Sequence, residues 1–148
     1  MFGFISCDND SKDSKDDTLY VKFINNSSSE YAITSIQIFN MGVAGTLDEP
    51  DGEFGDNILD NGITIAPGEY EFFYLEIPKS NYAYYRLGVD DGSGGEVLLH
   101  EQVDYTDTYE GTITHWGSDE RTVSVTVKWY DSYDYIYVQS WSDFAGIE

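Results

Sequence analysis

An all-β fold, a single antiparallel β-sandwich of about eight strands behind a flexible N-terminal tether, is predicted by three features of this 148-residue sequence. Segments rich in Val, Ile, Thr, Tyr, Phe and Trp recur roughly every 8 to 12 residues, the strand spacing of a sandwich or barrel. Clusters of Gly, Asn, Asp and Pro separate them, as tight turns require. After Thr18 no stretch carries the apolar spacing of an amphipathic helix. The length fits one domain, and a 41% hydrophobic content suffices for one core.

Residues Phe4-Ile5-Ser6-Cys7 place an apolar residue, a tolerant position and a small residue before the lone cysteine. They resemble a bacterial lipobox, which implies that Cys7 is lipidated and becomes the mature N-terminus. Only six residues precede Cys7, whereas a secretory leader needs a basic region and an apolar stretch of roughly 7 to 15 residues. Residues 1–7 are therefore expected to be the end of a leader that begins upstream. Residues 8–17, DNDSKDSKDD, are wholly polar and suit a solvated tether. Their Lys15-Asp16-Asp17 ending resembles the signals that send Bacteroidota-type lipoproteins to the outer face of the outer membrane. The resemblance implies an outer-membrane lipid anchor facing the exterior, with the sandwich occupying residues 18–148.

Strands are expected over 19–24, 32–39, 63–65, 70–77, 82–89, 96–103, 108–114, 122–130 and 135–140. The segment 122–130 alternates most clearly. Val123, Val125, Val127 and Trp129 share one side, expected in the core, while Thr122, Ser124, Thr126 and Lys128 share the other, expected in solvent.

Between the strands, Phe54-Gly55-Asp56-Asn57-Ile58-Leu59, Ile65-Ala66-Pro67-Gly68-Glu69, Tyr85-Arg86-Leu87 and Val89-Asp90-Asp91-Gly92 occur in this order. Together they resemble the motifs of a group of small bacterial β-sandwich domains: an aromatic-Gly-Asp-Asn turn, a Pro-Gly turn before a strand, and a Tyr-x-x-Arg-type strand ending in an acidic-Gly turn. The resemblance supports the fold and implies no chemistry.

Charge excludes one class of partner. Against 28 Asp and Glu stand 7 Lys and Arg, a formal net charge of -21 that repels phosphate backbones, so nucleic acid is not expected. The same field leaves the lipid anchor as the expected contact with a membrane. One cysteine excludes an internal disulfide, and two histidines are too few for the common zinc sites. Neither His100 nor His115 has a nucleophile at recognisable spacing. Asp91-Gly92-Ser93-Gly94-Gly95 reads as a hairpin turn and not as a nucleophile elbow. Glu96 and Glu101 have opposite parity on one strand, so they do not form the facing carboxylate pair of a glycosidase. No catalytic residue is expected.

Two surfaces remain. Asp48, Glu49, Asp51, Glu53 and Asp56 fall within nine residues free of Lys and Arg. Such a loop is either solvated or holds a structural calcium on Asp48, Asp51, Glu53 and Asp56, since hard cations take several closely spaced oxygens; no other cofactor is expected. The second is aromatic, drawing on 13 Tyr and 8 Phe. Tyr70, Phe72 and Tyr74 alternate on one strand and Tyr82, Tyr84 and Arg86 on the next. If the two pair as a hairpin, Tyr74 lies near Tyr84 and Phe72 near Arg86, a flat ligand surface. Tyr133, Tyr135 and Tyr137 form a further stripe. Cross-strand aromatic pairs also stabilise sheets without binding anything. The expected function is a non-catalytic binding or structural module with an unknown protein or glycan ligand. The alternative is a carbohydrate-binding accessory protein of a glycan-uptake system, with a glycan-cleaving enzyme third.

Overall fold

A computed structural model describes residues 19–43, 54–75, 81–99, 112–114, 120–132 and 134–148. Its named elements are all strands: β1 (Leu19–Asn25), β2 (Ile33–Val43), β3 (Tyr70–Leu75), β4 (Asn81–Asp90), β5 (Glu96–Leu98), β6 (Thr112–Thr114), β7 (Glu120–Tyr130) and β8 (Tyr135–Ala145). One sheet runs β3-β1-β7-β8. The other runs β2-β4-β5, with β6 also on β4. Cys7, the tether, His100, His115 and the outer parts of the expected strands 96–103 and 108–114 lie outside the described residues.

The sandwich is all-β and antiparallel throughout except for one pair, β1 with β7, which is parallel from Tyr20↔Glu120 to Asn25↔Val125. The expected strand at 63–65 is reduced to a single bridge, Ile33↔Ile65. In β1, Leu19, Val21 and Phe23 are buried while Tyr20, Lys22 and Ile24 alternate outward. From the opposite sheet Ile33, Ile36, Tyr85, Leu87 and Val89 close the core, and Phe23 meets Tyr85 edge-on at 5.5 Å across the two layers.

Val123, Val125 and Val127 are fully buried, as their alternation requires. Two expectations for this strand fail. Trp129, on the valine parity, is 39% exposed, next to the last residue of β7. Thr122 and Thr126, on the opposite parity, are buried. Thr122 Oγ1 donates to the Gly146 carbonyl and Thr126 Oγ1 accepts from Asn26 Nδ2 at 2.9 Å, so the chain following β8 and the chain following β1 fold over that face. A central strand is walled by its neighbours on both sides.

Three devices in the sequence hold this arrangement. At Ala66-Pro67-Gly68-Glu69, proline fixes the second turn position, Gly68 takes φ +90°, and the Glu69 amide donates to the Ala66 carbonyl at 2.9 Å, a type II turn. Asn25 is fully buried beside it and donates through Nδ2 to the Tyr31 and Ile65 carbonyls, stitching the end of β1 to two loops. Asn57, in the Phe54–Leu59 motif, caps the edge of β2 that faces away from β4. Its Oδ1 accepts from the Ile36 and Leu59 amides at 2.9 and 3.1 Å, and the Ile58 and Gly55 amides donate to the Ile36 and Ile38 carbonyls. That edge would otherwise offer unpaired ladder groups to another chain.

Candidate functional site

The hairpin proposed from parity does not form. β3 pairs with β1, and β4 sits in the other sheet with β2 on one edge and β5 and β6 on the second. A strand has two hydrogen-bonding edges, and both edges of β4 are taken. Tyr70, Phe72 and Tyr74 are therefore separated from Tyr82, Tyr84 and Arg86.

On β4, Arg86 is absorbed locally. Its guanidinium lies 4.3 Å from the Phe54 ring centroid and its Nε donates to Gln37 Oε1 at 2.7 Å. On the outer face of β3, Tyr70, Phe72 and Tyr74 are 51%, 42% and 72% exposed. They gain partners from β1 that the parity argument missed. The register sets Tyr20 opposite Tyr74, Lys22 opposite Phe72 and Ile24 opposite Tyr70. The Tyr20 ring stacks on Tyr74 at 4.6 Å and on Phe72 at 5.5 Å, and Tyr70 meets Phe72 edge-on at 5.4 Å. Lys22 places its ammonium 4.5 Å from the Tyr70 centroid and also donates to the Glu148 carbonyl. The alternation of Tyr20 and Lys22 was visible in the sequence; that their strand adjoins β3 was not.

This surface is a ridge more than a floor. Tyr20 is sandwiched between Phe72 and Tyr74, so these rings spend faces on one another and turn edges and hydroxyls outward. Tyr74 is the most exposed of them. The ridge follows β3 for about 13 Å, taking about 3.3 Å per strand residue. Tyr135 and Tyr137 differ from it: both are half-buried and pack on Tyr130 at 5.6 and 5.1 Å. Tyr133 lies outside the described residues.

Of the residues weighed for calcium, Asp48, Asp51 and Glu53 lie outside the described residues, and Asp56 is exposed. Among the described residues no three His, Cys, Asp or Glu side chains converge as a metal group. A different acidic corner does form where β4 turns into β5. Glycines at φ +84° (Gly92) and +91° (Gly94) make the turn, as the sequence predicts. The Asp90 and Asp91 carboxylates accept from the Gly92 and Ser93 amides, each at 2.8 Å. Hydrogen bonds from Ser93, its hydroxyl first and then its amide, hold the Asp91 carboxyl below its ordinary range. Nearby, burial first and then the charges of Glu30 and Asp91 push the Tyr31 phenol above its ordinary value.

Across the sandwich, Arg121 and Asp143 form a buried ion pair at 2.6 Å on the inner face of β7 and β8. Truncating either partner would strand a buried charge, so the pair belongs to the scaffold. No helix among the described residues is long and apolar enough to cross a membrane.

No protein-family model matches the chain, and no curated protein matches it in sequence. In structure it is similar to the cytotoxin protein suilysin of Streptococcus suis, at 10% identity and a TM-score of 0.37, over 86% of this chain and 23% of that one. A likeness at that level transfers neither a fold family nor an activity.

Proposed function

We propose that this chain is a non-catalytic binding module, held at the outer membrane through lipidated Cys7 and facing the exterior, whose binding surface is the outer face of β3 and β1. The observation that carries the reading is the contiguous ridge Tyr70, Phe72, Tyr20 and Tyr74, with large aromatic area exposed on a rigid sheet. Tyrosine supplies broad apolar contact with a polar tip at low entropic cost, and so recurs where proteins bind. The lipobox resemblance of Phe4-Ile5-Ser6-Cys7 and the polar stretch 8–17 support the anchor. A carbohydrate ligand is the second reading, favoured by Tyr74, the most exposed ring of the ridge.

A photocrosslinking residue at position 74 of the anchored protein in living cells is expected to give discrete adducts, and one at Asp131 none. Adducts at both or at neither overturn the binding surface. Retardation of the purified chain in polysaccharide gels, lost in Tyr74→Ala but kept in Phe144→Ala, would mark the ligand as a glycan. With the upstream leader restored, a fatty-acid probe is expected to label the wild type and not Cys7→Ala; label that persists removes the anchor.

A further inference from the structure

The two sheets treat their edges differently. The outer edge of β2 is closed by Asn57 and by the amides of Gly55 and Ile58, whereas β3 ends its sheet with β1 on one side and, among the described residues, no strand on the other. Proteins usually blunt an open edge with proline, lysine or a bulge. β3 reads Tyr-Glu-Phe-Phe-Tyr-Leu and has neither residue, and its register with β1 runs from Tyr70 to Leu75 without a shift.

Hydrogen bonding fixes which groups that edge presents. The Asn25 amide donates to the Glu69 carbonyl at 3.0 Å, so the odd-numbered residues of β1 bond toward β3; the Asn26 amide donates to the Val125 carbonyl at 2.8 Å, so the even-numbered ones bond toward β7. An antiparallel ladder alternates bonded and non-bonded pairs. Phe23↔Glu71 and Val21↔Phe73 are therefore bonded pairs, and Tyr70, Phe72 and Tyr74 turn their N–H and C=O groups to the open edge. The same three residues carry the exposed rings. A strand laid along this edge would bond to the backbone of the ridge and set every second side chain against its rings. The alternate side chains would meet Phe73, which is half-buried on the other face.

Charge selects the occupant. A second copy would bring a net charge of -21 against its equal, and an acidic segment would meet the same field. Cations are drawn in, and the ridge shows how it receives one: Lys22 holds its ammonium 4.5 Å from the Tyr70 centroid. Tyr74, stacked by Tyr20 at 4.6 Å and 72% exposed, is the ring left for a cation from outside. Exposed Glu69 precedes β3, and exposed Glu120 is the partner of Tyr20 in the β1–β7 ladder, so negative charge flanks the ridge. We propose, taking the ridge as the binding surface, that β3 is completed by an extended segment of a partner protein that alternates Lys or Arg with apolar residues. It joins the sheet as a further strand, its main chain bonded to Tyr70, Phe72 and Tyr74 and a cation over Tyr74. In such strand addition the main-chain bonds give affinity and the alternate side chains give specificity.

The test uses the full chain and two synthetic peptides of the length of β3, one alternating lysine with valine and one alternating glutamate with valine, followed by amide exchange in NMR. The lysine peptide is expected to bind saturably and to slow exchange at Tyr70, Phe72 and Tyr74, with little change at Glu71 and Phe73, whose amides already bond to β1. The glutamate peptide should bind more than about tenfold weaker. Phe72→Pro removes one outward amide and spares the bonds to β1, a substitution that edge strands tolerate. It should abolish binding with an unchanged circular dichroism spectrum, while Phe72→Ala, which loses the same ring, should only weaken it. Exchange in the wild type reads the edge even where the proline variant fails to fold. Binding of the lysine peptide without slowed exchange at those three amides overturns strand addition and leaves a ridge that binds through its rings. No binding, or equal binding of both peptides, overturns the cationic strand, and crosslinking at position 74 then decides the ridge on its own. Exchange at the three amides that slows with rising protein concentration, without peptide, also overturns it by giving the edge to a second copy.

Discussion

Asn57→Ala tests whether a side chain can stand in for a strand. Asn57 is exposed as a residue, yet its Oδ1 accepts from two amides, those of Ile36 and Leu59, at 2.9 and 3.1 Å. Ile36 is fully buried, so truncation leaves its N–H without a partner, a cost of about 1 to 3 kcal/mol. The Leu59 amide, bonded at the longer distance, adds about 0.5 to 1 kcal/mol. The Nδ2 contact to the Thr34 carbonyl, at 3.4 Å, is too long to add much. The expected destabilisation is about 2 to 3 kcal/mol by urea unfolding, with an unchanged m-value. Asn57→Asp keeps the acceptor and loses only the long contact, so it should stay within about 1 kcal/mol of the wild type. Amide exchange reads the mechanism directly: Ile36 should lose protection in Asn57→Ala beyond the global change. Wild-type protection at Ile36, or equal losses for Ala and Asp, would refute the reasoning.

Two further outcomes are expected. Val125→Ala removes two methyl groups from a fully buried site, about 1.6 kcal/mol of transfer plus a cavity, so a loss of about 2 to 3 kcal/mol in chemical denaturation; Ser124→Ala loses one half-buried hydroxyl contact to Ser142 and should cost about 0.5 to 1 kcal/mol, and equal losses would contradict the two-faced strand. Asp91 has its folded pKa lowered from an ordinary value near 3.8, so its contribution is fully present above that value and is lost as pH falls through the folded pKa; in an NMR titration Ser93→Ala should return the Asp91 midpoint upward, and an unmoved midpoint would remove Ser93 as the cause.

The strands were legible where alternation is strict. Leu19, Val21 and Phe23, or Val123, Val125 and Val127, declare a buried face by parity alone. Parity tells which way a side chain points, but not which strand lies beside it. That is why parity sets Tyr74 beside Tyr84 and Phe72 beside Arg86, near in sequence, while the ladder sets them opposite Tyr20 and Lys22. The alternation in the sequence ends the last strand at Ser140 for a related reason. The ladder pairs Thr126 with Ser140 and then Val127 with Val138, so Gln139 is skipped as a bulge. The alternation changes phase there, and Trp141 joins the core side beyond it.

The parallel union of β1 with β7 governs the order in which the chain can acquire its shape. Asn26 and Thr126, the bonded residues just past the end of that ladder, are 100 positions apart. Closing so wide a loop is entropically slow, and topologies dominated by such contacts fold in milliseconds to seconds, not microseconds. The first strand to be synthesised thus waits for nearly the last. Until residues 120–125 exist, Val21 and Phe23 can be sheltered by β3 on one flank at most. Nascent chains stalled before residue 120 should therefore be the aggregation-prone species, and chaperone dependence should fall sharply once β7 has been made.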